Sequence, residues 1–438
     1  MNSINFFSTI LLLLLLASSC NQKVNDGNKA VQATPTNVPN LSKYEIPGAT
    51  VLAFGPDNVL FIGDSKGGII HAVTTTATPL NDPVPYNLEG FDEMLAKKLG
   101  KNQRDFLIND MKVHPVSQEA YLAVKNGHHP DAKSMIAVVS PTSPEIRLLE
   151  INEANSTKVT ITNPASADLK FWNETPASSL TITDMDYNNG YLYVAGLSNG
   201  DFASNLRKIA YPFDGNQESV KSIEIYHAVH TQMETRAPIR TMLFDDLDGT
   251  STLLASYTCT PLVSIPSSAI EKDKEVKGKT IAELGYGNTP IDMLMVMSQG
   301  FDGSMSKSLL ITHKNRGGSL IPYDSVVKGV KGKGMEGARA MFASGLEEIV
   351  EVPTANVMHI DKQNQMMLTM LRRNMETGAV DLVSEMTGTY LRLSDFISEY
   401  DFPSYQYPEQ QAMTKQYHDM VKKMEGYPDL TSDKMERN

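Results

Sequence analysis

The chain repeats a short unit. Strands that begin Ile-x-Asp-Met, or a close variant, occur at Ile108-Asn109-Asp110-Met111, Ile182-Thr183-Asp184-Met185, Ile239-Arg240-Thr241-Met242, Ile291-Asp292-Met293 and Ala355-Asn356-Val357-Met358. Roughly ten residues after each comes a second apolar run, at 120–124, 191–195, 253–257, 309–312 and 366–369. An earlier copy without the Asp-Met pair runs from Thr50 to Phe54, with Leu60-Phe61-Ile62 as its second strand. Gly55-Pro56-Asp57-Asn58, Asn188-Asn189-Gly190 and Asp361-Lys362-Gln363-Asn364 join such pairs with tight-turn chemistry. Each unit can bury its apolar faces only against its neighbours, so stacking must continue until the array closes or is capped. Six units over residues 45–395, at roughly sixty residues each, predict an all-β chain of four-stranded blades around an axis, a β-propeller. Seven blades is the runner-up, because residues 155–179 have room for more strands. A two-sheet sandwich is the other all-β solution.

In architecture this resembles the broad quinoprotein-like, YVTN and NHL propeller superfamily. The blades lack the Trp-Asp of WD40 repeats, and Trp172 is the only tryptophan. The resemblance implies a ligand site at one mouth of the central channel. Two segments break the strand pattern. Residues 88–99 have helical apolar spacing and stop at Gly100, which predicts a helical insert. Residues 396–438 predict a C-terminal appendage with a helix over 409–425 that ends at Gly426.

The N-terminus predicts an address. An apolar run over 10–16 is too short to span a bilayer and suits a signal peptide. Ala17-Ser18-Ser19-Cys20 follows and resembles the lipobox of bacterial lipoproteins, although Ala17 stands where leucine is usual. The resemblance implies removal of residues 1–19, acylation of Cys20 and attachment to a bilayer of the cell envelope, facing the periplasm or the exterior. An ordinary cleaved signal with an incidental cysteine is the alternative. Residues 20–44 then read as a polar, Pro- and Asn-rich tether. Only Cys20 and Cys259 exist, so no disulfide framework is expected once Cys20 is lipidated. The net charge of −12 argues against nucleic acid as a partner.

Propeller geometry brings two sets of residues to one face. The first set begins the inner strands: Asn109, Asp110, Thr183, Asp184, Arg240, Asp292 and Asn356. The second fills the loops after the second strands: Asp64 and Lys66, His128-His129-Pro130-Asp131, Asn199-Gly200-Asp201, Cys259, His313 to Arg316, and Arg372-Arg373-Asn374. His227, His230, Glu234 and Arg236 open on the same face. His128, His129, His227 and His230 are candidate ligands, since imidazole suits a divalent transition metal. Quinone is suggested by the architecture alone. Asp110, Asp184 and Asp292 could act as acid and base or hold a cation. Equally, each could accept backbone N–H bonds from the next blade, which is the favoured reading. Cys259 and His313 are candidate nucleophile and base, and Arg240 and Arg316 candidate binders of an anionic group. The expected function is capture of a small polar or anionic molecule at the mouth, with or without metal-assisted or oxidoreductase chemistry. The alternative is a surface scaffold for a partner protein or glycan.

Overall fold

Tight turns set the hairpins. Asp57 and Asn58 both have positive φ (53° and 62°), as do Asn189 with Gly190 (50° and 85°) and Asp248 with Gly249 (56° and 79°). Two-residue turns of this handedness match the right-handed twist of the strands they join. The computed structural model describes residues 40–390 apart from 172, 201, 215–217, 273–274, 286–288, 300–302 and 338–342. The signal segment, Cys20, most of the tether, Asp201 and the C-terminal appendage lie outside the described residues.

The chain opens with strands β1 (Val51–Phe54), β2 (Val59–Asp64) and β3 (Ile69–Thr74), an antiparallel meander. It then passes through β4 (Asn87–Leu88) and helix α1 (Phe91–Leu99), which ends at Gly100 in the left-handed region as predicted. A four-stranded meander follows: β5 (Leu107–Val113), β6 (Ala120–Lys125), β7 (Ser134–Ser140) and β8 (Ser143–Leu148). Next comes β9 (Ser156–Thr160), which pairs back with β3 and completes the first blade. Two further units follow, β10 (Asp184–Asn188), β11 (Tyr191–Leu197), β12 (Ser204–Ala210) and β13 (Glu218–His227), then, after the short β14 (Gln232–Glu234), β15 (Ile239–Leu247), β16 (Thr250–Tyr257), β17 (Pro261–Pro266) and β18 (Glu275–Glu283). Parallel pairing of β13 with β18 joins these two into a nine-stranded sheet with β14 at its side. The chain continues with β19 (Pro290–Gln299), β20 (Met305–His313), β21 (Gly318–Pro322) and β22 (Val350–Val352), and ends its strands with β23 (Val357–Lys362), β24 (Met367–Arg373) and β25 (Val380–Met386). β4 supplies the fourth strand of that last sheet.

In chain order the blades are I (β1–β3 with β9), II (β5–β8), III (β10–β13), IV (β15–β18), V (β19–β22) and VI (β23–β25 with β4). Their inner strands adjoin in the cycle I, III, IV, V, VI, II and back to I. Each of the six junctions holds its own apolar cluster, from Leu52, Leu60 and Tyr121 between I and II to Leu294, Ile360 and Met370 between V and VI. Six blades therefore close the ring among the described residues. Among the described residues, the stretch over 155–179 holds the outer strand of blade I. The second strands lie between neighbouring blades and are buried on both faces, which is why they read as unbroken apolar runs. Helix α1 packs Phe91, Leu95 and Leu99 into the junction of blades VI and II, joined by Leu41 and Tyr44 from the end of the expected tether. No helix among the described residues is long and apolar enough to cross a membrane.

Candidate functional site at the channel mouth

The inner strands are irregular where they begin. Register shifts fall between Ile108 and Asp110, Ile239 and Thr241, Pro290 and Met293, and Val357 and His359. Bulges at a rim re-aim side chains. These four turn Asn109, Arg240, Ile291 and Met358 onto a cavity of about 670 Å³ at one mouth of the channel. Every residue of the first predicted set lines this cavity. Of the second set only Lys314 and Arg373 reach it.

The repeated aspartates clasp neighbouring blades. Asp110 Oδ2 accepts the N–H of Leu52 at 2.6 Å, Asp184 Oδ2 that of Met242 at 2.6 Å, and Asp292 Oδ2 that of Ile360 at 3.0 Å. Two residues further along the inner strands, Asp361 accepts the N–H of Val113 and Asp186 that of Phe244, each at 2.7 Å. The favoured backbone-binding reading of Asp110, Asp184 and Asp292 is what the hydrogen bonds display.

These contacts also fix the repeat register. The N–H groups of Leu52, Met242 and Ile360 occupy equivalent places, so the residue before each, Val51, Thr241 or His359, stands where other blades have aspartate. The repeat pattern aligns Ala355-Asn356-Val357-Met358 with Ile-Asn-Asp-Met, an alignment that hides His359. The better match is Val357-Met358-His359-Ile360, which counting from the turn at 361–364 could have found.

His359, on blade VI, stands between carboxylates of blades V and II. Its Nδ1 lies 3.5 Å from Asp292 Oδ2 and 3.8 Å from Asp110 Oδ1, an electrostatic pairing without a formed hydrogen bond. Lys112, two residues along the strand from Asp110 and on the same side of it, places Nζ 3.7 Å from Asp292 Oδ1. Burial opposes the imidazolium of His359, but Asp292 and Asp110 outweigh it and raise its pKa. Burial also opposes ionisation of Asp292, yet Lys112 and His359 hold its carboxyl below the usual range. Asp110 is pushed up by burial against the pull of Lys112 and His359. Across the mouth, burial raises Asp184 to about 7 despite Lys112. Beside it the guanidinium of Arg240 is depressed by burial, with Asp184 opposing, and its buried Nε has no hydrogen-bond partner among the described residues.

The remaining candidates sit elsewhere. His128 and His129 lie in an exposed loop of blade II, where His128 contacts the carbonyl of Arg104 and His129 lies 3.7 Å from Asp131. His313 is buried and bonded to Ser319 Oγ at 3.0 Å, and burial with nearby Arg316 lowers it to about 4. It does not line the cavity, nor does Arg316. Cys259 is also outside the cavity, and burial and Glu283 push its thiol up, the opposite of an activated nucleophile. The candidate histidines do not form one cluster: His227 and His230 stand together, with ring centroids 4.4 Å apart, while His128, His129 and His313 have other partners. Among the described residues, metal-competent groupings are His227 with His230 and Cys259, and Asp110 with Asp292 and His359.

No protein-family model and no curated protein matches the chain. Solved structures similar to it include virginiamycin B lyase from Staphylococcus aureus (12% identity, TM-score 0.26, 77% of this chain and 84% of that one). Another is a proposed 6-phosphogluconolactonase from Bacteroides uniformis (10%, 0.27, 77% and 82%). A third is the extracellular domain of a proposed one-component system from B. thetaiotaomicron (10%, 0.28), of which this chain spans 32%. Similarity at this level carries no functional argument; the propeller rests on the strand pairing, which places the chain among β-propellers in the broad sense.

Proposed function

We propose that the chain is a lipid-anchored extracytoplasmic propeller that binds a small anionic molecule at the channel mouth. The observation that carries this reading is Arg240, a guanidinium in the cavity wall whose buried Nε lacks a partner. Leaving such a donor unpaired is costly, and a carboxylate or phosphate would pair with the guanidinium bidentately, one oxygen on Nε and one on a terminal nitrogen. Lys314 and Arg373 add positive charge at the rim. In the wall of the same cavity, His359 and its flanking carboxylates can give and take a proton. A metal at this point is the weaker reading, because Lys112 already supplies the positive charge that Asp292 faces.

Isothermal titration of the full chain with succinate, citrate and glycerol 3-phosphate tests the proposal. At least one should bind, and Arg240→Met should weaken it tenfold or more, about 1.4 kcal/mol. Failure of all three, or equal binding by the variant, would refute the anion reading. The anchor is tested separately. Cys20→Ser should move the protein from the membrane to the soluble fraction, and retention in the membrane would count against lipidation.

A further inference from the structure

A second cluster lies on the same face as the mouth but outside the cavity, where blades III and IV meet. β13 ends at His227, and the turn into β14 folds His230 back over it, with ring centroids 4.4 Å apart and planes at 85°. The turn between β16 and β17 brings Cys259 to the pair. One nitrogen of each histidine and Cys259 Sγ all lie within 4.8 Å of one another.

The support behind these three is buried and polar. Glu283, at the end of β18, is fully buried and accepts the N–H of Ala228 at 2.9 Å and the hydroxyl of Thr260. Thr260 Oγ1 lies 3.3 Å from His227 Nε2. In the tautomer that donates Nε2–H to Thr260, the Nδ1 lone pair of His227 is left for a ligand. A carboxylate that orients a histidine, here through one hydroxyl, is a common supporting arrangement around bound metal ions. Glu283 thereby ties down both loops that carry the cluster.

We propose that His227, His230 and Cys259 form a three-ligand site for a zinc-class divalent ion, with a fourth position open to water or a small ligand. Two imidazoles and a thiolate select borderline-soft ions over magnesium and calcium, which take oxygen ligands. Ligand atoms around tetrahedral zinc stand roughly 3.3–3.8 Å apart, so the cluster closes by about 1 Å, chiefly through exposed His230. On binding, the Cys259 proton leaves to solvent and the thiolate pairs with the ion. The ion would bridge blade III to blade IV, independently of any anion at the channel mouth.

The full chain, purified in detergent and stripped with a chelator, is titrated with Co²⁺ and then Zn²⁺. Co²⁺ should give a near-ultraviolet thiolate charge-transfer band, and one equivalent of Zn²⁺ should remove it. Cys259→Ser should abolish the band, and His230→Ala should weaken Zn²⁺ at least tenfold. Arg240→Met and the exposed pair His128→Ala with His129→Ala should leave both unchanged, which separates this site from the channel mouth. Circular dichroism of each variant checks the fold. The site is refuted if the wild type shows no thiolate band, or if Cys259→Ser and His230→Ala, both folded, bind Zn²⁺ as the wild type does.

Discussion

Asp184 is an aspartate that keeps its proton well above the usual range, to about pH 7, because burial outweighs Lys112 and two backbone N–H bonds. Its folded pKa is raised, so its contribution is fully present below the unfolded value near 4 and is lost as pH rises towards 7. Over that window the unfolded chain releases a proton that the folded chain retains. Asp186, raised to about 6 by burial, adds to the same trend. Chemical denaturation at pH 5 and pH 8 should find Asp184→Asn less pH-dependent than the wild type, by up to a few kcal/mol. An unchanged pH profile would show that the carboxyl ionises freely. The aspartates were legible in the sequence because they repeat. His359 and Lys112 were not, for different reasons. A bulge displaced the register in blade VI, and Lys112 gains its meaning from Asp110 on its own strand together with carboxylates on three other blades.

At the scale of elements, the segment between blades I and II shows how a few atoms seat a strand. Tyr86 exchanges backbone-to-serine and backbone bonds with Ser384 of blade VI, while its hydroxyl accepts the N–H of Ala120 at 2.8 Å and lies 2.8 Å from the Val139 carbonyl of blade II. Tyr86→Phe leaves the buried Ala120 N–H unpaired and should cost about 1–3 kcal/mol in unfolding free energy. A loss below ~0.5 kcal/mol would mean that water replaces the hydroxyl. Leu95→Ala in α1 removes a fully buried side chain from the junction of blades VI and II and should cost about 2–5 kcal/mol in the same assay. Such elements differed in how far the sequence announced them. Second strands were plain, since burial on both faces demands apolar residues throughout. The two residues of β4 carry no periodicity at all, and their pairing with β25 is decided by contacts about two thirds of the chain away.

For the molecule as a whole, blade I is the keystone. Its three inner strands come from the start of the described chain, its fourth follows blade II, and its two faces complete the clusters shared with blades II and III. Removing residues 1–75 should therefore abolish the single cooperative transition in calorimetry, whereas removing 1–39 should preserve it. Survival of the transition in the first deletion would mean that five blades can close without blade I. Repeat length and turn chemistry announced a ring of blades, but not that the ring order departs from chain order. That departure depends on which unpaired edge each outer strand finds, a tertiary choice with no local signal.

The early placement of β4 sets the timetable of assembly. Gly90 bonds Asp381 across 291 residues of sequence, so the first quarter of the chain must wait for the last blade before its own contacts are complete. Contacts of such separation are slow to form. A chain halted before Val380 lacks β25, so β24 and β4 of blade VI keep bare edges, and these are sites where a neighbouring copy could pair. Under the proposed export, gradual delivery of the chain would prolong that exposed interval, and the final hairpin ends it.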